Sequence, residues 1–70
     1  VVFVQTHNNT IDLEIIRHKH EFSVEITSDG LHLICDEETD MPIEKEIPLS
    51  HFEDVGEVFG AIREFIETNS

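Results

Sequence analysis

From Thr10 onward the chain alternates. Ile11, Leu13 and Ile15 are apolar, while Asp12 and Glu14 between them are charged. After Arg17-His18-Lys19-His20 the alternation resumes, with Phe22, Val24 and Ile26 set against Glu21, Ser23, Glu25 and Thr27. Successive strand side chains point to opposite faces, so this pattern predicts two half-buried antiparallel strands joined by a hairpin. The apolar, β-branched run VVFV (1–4) predicts an opening strand, with QTHNN as the turn behind it. Ser28-Asp29-Gly30 reads as the next turn, with Gly30 supplying a positive φ. LHLIC (31–35) follows as a strand, and DEETDMP as a charged loop. IEKEIPL (43–49) closes the series, and Pro48 places it at an edge of the sheet, because proline cannot donate to a ladder.

The remainder predicts a helix. Phe52, Val55, Phe59, Ile62 and Ile66 recur at steps of three and four, widened by Val58 and Phe65. Ser50 and Glu53 have capping-box spacing and mark its start. Gly56 and Gly60 each cost roughly 1 kcal/mol relative to Ala inside a helix. Close approach of helix to sheet is the expected compensation, and a helix–helix contact across a homodimer is the alternative. The class is therefore α+β: an antiparallel meander of roughly four to five strands with one C-terminal α-helix packed on one face.

With 70 residues the chain is read as a single domain, 1–70. A chain of this size buries only about 60% of its unfolded surface. A hydrophobic content of 39% is still enough for a core, which separates it from disordered acidic tails. The single cysteine, Cys35, forms no internal disulfide and fits a reducing, cytoplasmic setting. The start, VVFVQTHNNT, has neither the basic flank nor the long apolar stretch of a signal peptide, and no run reaches membrane-spanning length.

Charge changes the picture most. Sixteen Asp and Glu face four Lys and Arg, a formal −12, and protonating all five His would leave the sign unchanged. Such a chain repels nucleic acid and anionic membrane, so its expected partner is a basic protein surface. Asp12, Glu14, Glu21, Glu25, Glu44 and Glu46 all occupy the polar side of alternating strands. They predict a carboxylate face opposite the helix, continued by Asp36, Glu37, Glu38 and Asp40 in the loop. Packing like charges together opposes folding, which in so small a domain suggests a use for them. An acidic face that serves only solubility is the competing account.

The triplet His18-Lys19-His20 raises metal chemistry. His18 and His20 would share a face only if strand geometry ran through them, and a zinc site needs further ligands whose spacing is missing here. Both are read as turn residues, with no metal and no cofactor expected. Cys35 and His32 differ by three positions and point to opposite faces of a strand, so Cys35 is read as a core residue and not as a nucleophile. No nucleophile elbow, phosphate loop or dinucleotide fingerprint occurs, and no enzyme is expected.

The ending DMPIEKEIPLSHFEDVGEVFGAIREFIETN resembles small acidic proteins encoded by phages and mobile elements of Gram-positive bacteria. Those too carry short antiparallel strands, a Pro-Ile-containing strand and an acidic terminal helix with an aromatic residue. The resemblance spans about the last half of the chain. Some members of that class imitate DNA and inhibit nucleic-acid-binding enzymes. It implies a non-enzymatic inhibitor or regulator of a basic protein, and carries over no residue; the strand alternation and the charged loop point to Asp12, Glu14, Glu25, Asp36, Glu37, Glu38, Asp40, Glu44 and Glu46 as the binding residues. The alternatives are a homodimeric assembly domain, joined by an edge strand or by the Gly56/Gly60 helix face, and a metal or pH sensor built on His18 and His20.

Overall fold

A computed structural model describes residues 2–69, with only the backbone of Val2. Five strands, β1 (Val2–His7), β2 (Thr10–Arg17), β3 (His20–Ile26), β4 (Gly30–Cys35) and β5 (Ile43–Pro48), are followed by a 3-10 turn (Leu49–His51) and one helix, α1 (Val55–Asn69). The strands form one antiparallel sheet in the order β1-β2-β3-β4-β5. The α+β meander with its C-terminal helix is thus the architecture, and β5 lies at an edge.

The turns show how the sequence sets the register. β1 runs on to His7, into the stretch QTHNN expected as the turn, because Asn8 and Asn9 alone reverse the chain at φ 47° and 65°. Two residues of positive φ match the right-handed twist of the flanking strands, and Asn tolerates that conformation. Val1, the first residue of the expected strand, lies outside the described residues. His18 and Lys19 make the equivalent turn between β2 and β3 at φ 51° and 68°. RHKH is therefore a tight hairpin turn.

Gly30 plays a different part from the one expected. No described glycine has positive φ. A Cβ on Gly30 would lie 2.8 Å from the carbonyl oxygen of Ile47, so glycine here permits close approach of β4 to β5. The turn itself is organised by Thr27, whose hydroxyl accepts the N–H groups of Asp29 (3.1 Å) and Gly30 (3.2 Å).

α1 begins later than the Ser50/Glu53 spacing predicts. Leu49–His51 closes as a 3-10 turn, and no side chain caps it. Asp54 caps α1 instead, accepting the N–H of Glu57 at 2.9 Å, while the Glu57 carboxylate turns back to the N–H of Glu53. The same reciprocal logic operates one turn further along.

The core gathers Phe22, Val24, Leu31, Leu33 and Cys35 from β3 and β4 with Ile62, Phe65 and Ile66 from α1. The rings of Phe22 and Phe65 meet edge to face, 6.1 Å apart. Val55 and Phe59, expected on the buried stripe, are exposed (67% and 56%). α1 seats on β4, and its Ala61 and Glu64 side looks toward Lys45 and Ile47 of β5. Val55 and Phe59 share the angular stripe of Ile62 and Ile66 but lie in the first half of α1, whereas the buried helix residues, Ile62, Phe65 and Ile66, all come from the second half. Close approach to the sheet does not explain the helix glycines. A Cβ on Gly60 would meet nothing within 4 Å, and one on Gly56 would meet only the Asp54 carboxylate.

Candidate functional site: the open face of the sheet

The register fixes which side chains share the face turned away from α1. One transverse row reads Gln5, Asp12, Glu25, His32, Glu46, and the next reads Phe3, Glu14, Ser23, Ile34, Glu44. Ile16 and Glu21 continue the face beyond them. The predicted group of Asp12, Glu14, Glu21, Glu25, Glu44 and Glu46 therefore does lie on one surface. None of the four Lys and Arg joins it. Arg17 and Lys45 occupy inward-facing positions of their strands, Lys19 is in a turn, and Arg63 is on α1 with Glu67 at 4.0 Å. The charges are segregated and not merely abundant.

Spacing makes that segregation costly. Neighbours in a row are about 4.8 Å apart and same-face residues along a strand about 6.7 Å. Asp12 stands directly opposite Glu25. The two-residue loop at His18-Lys19 makes Arg17 and His20 a hydrogen-bonded pair, and alternation then makes Asp12 and Glu25 a closer, non-bonded pair. Like charges in that relation destabilise a sheet. Phosphates along one DNA strand rise about 3.4 Å each, so adjacent strands of carboxylates reach a comparable charge density.

His32 belongs to this face as well, among the carboxylates and away from Cys35. Its Nε2 lies 3.9 Å from Glu44 and 3.8 Å from Glu46, with Glu25 on its other flank. These separations exceed hydrogen-bond length, so His32 is an electrostatic neighbour within the face. The alternation of LHLIC already places it there, because His32 falls between the inward Leu31 and Leu33. Phe3, Ile16 and Ile34 add apolar ground that the count of carboxylates conceals.

The β4–β5 loop divides. Glu37 and Glu38 border depressions shared with Glu14, Glu21 and Ser23, so they extend the carboxylate face. Asp40 is exposed in the same loop. Asp36 stands apart from this surface. It has positive φ (54°), and its carboxylate accepts His20 Nδ1–H at 2.7 Å and the Glu21 N–H at 3.1 Å. The Asp36 N–H in turn donates to the Glu21 carbonyl at 2.8 Å. Asp36 thus clamps the end of β4 to the start of β3. The His20 hydrogen bond, followed by the Glu21 N–H, holds its carboxyl below the usual carboxylate range.

His20, Cys35 and Asp36 offer donor atoms within 4.8 Å of one another, the only such triple among the described residues, and His18 is not part of it. Their chemistry is already satisfied internally. Cys35 is fully buried, and its thiol donates to Asp36 at 3.6 Å. Burial first, and the Asp36 charge second, push that thiol up from its ordinary value. A protonated, enclosed thiol is a poor nucleophile and a poor ligand.

No described helix is long and apolar enough to cross a membrane. No protein-family model matches the chain, and no curated protein or solved structure is significantly similar to it.

Proposed function

We propose that this chain is a non-enzymatic interaction protein whose carboxylate face binds a basic protein surface, taking the place a nucleic acid would occupy there. The carrying observation is the segregation: six carboxylates and no Lys or Arg on one open sheet face. Such a face steers a cationic partner and makes encounter salt-dependent. Glu37 and Glu38 widen it, while Phe3, Ile16 and Ile34 supply apolar contact beside the charge. The resemblance to small acidic phage proteins points the same way. The absence of enzyme chemistry is part of the proposal, supported by His20 bonding to Asp36 and the Cys35 thiol being held protonated.

The test is capture of basic proteins from a lysate on the immobilised chain, followed by elution with duplex DNA and with salt. DNA should displace the captured partner, and affinity should fall steeply as salt rises. Glu44→Gln with Glu46→Gln should weaken binding and leave the fold intact, since both residues are exposed and removing their charge relieves repulsion. Binding that ignores both DNA and salt would reject the proposal.

A further inference from the structure

Among the described residues β1 and β5 are the two edges of the sheet, and they are built differently. Alternation from the Asn8-Asn9 hairpin makes His7–Thr10, Gln5–Asp12 and Phe3–Glu14 the hydrogen-bonded pairs of β1 with β2. The backbone N–H and C=O groups of Val4 and Thr6 consequently point outward, away from β2. At the other edge the same count makes Glu44, Glu46 and Pro48 the outward residues of β5. Proline there has no N–H to offer, and two carboxylates flank the remaining slots. Charges and proline are the usual protections of an edge strand. β1, VFVQTH, has neither, although the chain carries 20 charged residues in all. Its Phe3 and Val4 are 60% and 64% exposed, one on each face.

We infer that β1 is a dimerisation edge, and that its occupant is β1 of a second copy, paired antiparallel about a two-fold axis through Val4. In that register Val4 meets its own counterpart as a hydrogen-bonded pair and Phe3 meets Gln5, so no like charges are brought together. The nearest carboxylates of the two copies, on β2, stay three strand spacings apart, about 14 Å. That exceeds the screening length of about 8 Å at physiological salt. An axis perpendicular to the sheet keeps both carboxylate faces on one side and both helices on the other. The pairing stands independently of the polyanion reading, and its failure would leave that reading untouched.

Sedimentation of the purified chain at micromolar concentration, with no partner present, tests the pairing. The expected mass is twice 8.1 kDa. Val4→Pro removes an outward N–H without touching the ladder to β2, and should return the mass to that of a single chain with an unchanged β-sheet circular dichroism spectrum. Amide exchange of the unaltered chain gives a second readout that does not depend on the variant folding. The Val4 and Thr6 amides should lose protection on dilution, while Phe3 and Gln5, bonded to β2, keep theirs. A monomer at all concentrations, or Val4 and Thr6 amides that are protected only by an added foreign peptide, would overturn the inference.

Discussion

The helix-facing side of the sheet has two halves with similar sequences and opposite fates. Phe22, Val24, Leu31 and Leu33 on β3 and β4 lie under α1 and are almost wholly buried. Ile11 and Val4 occupy the same side of β2 and β1 and are 40% and 64% exposed. Alternation is as clean in β2 as in β3 and β4, and Leu13 and Ile15 still pack against the core; it breaks only in β1, where Phe3 faces outward and Thr6 inward. What differs is cover: α1 packs on β4, and one helix about 10 Å across spans only two strands of a sheet whose strands repeat every 4.8 Å. Amphipathic pattern marks which face is inward, and the count of covering elements decides how much of it leaves water.

The largest expected effect follows directly. Leu33→Ala, at a site with no exposure, should cost about 3 kcal/mol, whereas Ile11→Ala should cost about 1 kcal/mol or less. Equal costs in urea unfolding would mean that β1 and β2 are covered in solution by something further, and the contrast would fail.

A smaller effect tests the clamp that closes the covered half. Asp36 has a folded pKa below its ordinary 3.8, so its contribution is present above that value and is lost as pH falls through the folded pKa. Asp36→Asn should therefore be less stable than the unaltered chain near neutrality, and the difference should vanish in acid. A pH-independent difference would assign the effect to packing and not to the ionised carboxylate.

The smallest effect concerns where the helix touches. Gly60→Ala adds a methyl group in open space and should stabilise the chain by about 0.5–1 kcal/mol. Destabilisation in thermal unfolding would place Gly60 against another surface, sharpening the question of what lies beside α1.

Period-two alternation gave legible strands, the buried Cys35 and the carboxylate face, because one residue of slippage would turn every apolar side chain outward. The same alternation assigns His32 outward, between Leu31 and Leu33, but only the pairing of β4 with β3 and β5 shows that Glu25, Glu44 and Glu46 stand around it. The start of α1 is ambiguous in the sequence because Ser50-Glu53 and Asp54-Glu57 both satisfy the capping spacing, and only the path of the chain leaving β5 selects the second. Val55 and Phe59 belong to the apolar stripe by periodicity, yet stay exposed because only the second half of α1 is buried against the sheet.

The sequence by itself determined the element types, the two faces and the sign of the open surface, since each follows from local geometry repeated along the strand. Pairing and packing add the capture of Asp36 by His20 between neighbouring strands, the exposure of Val4 and Ile11 at the far end of the inner face, and the unprotected edge at β1. Each depends on which elements end up side by side, and contacts between residues far apart in the chain leave no periodic trace in it.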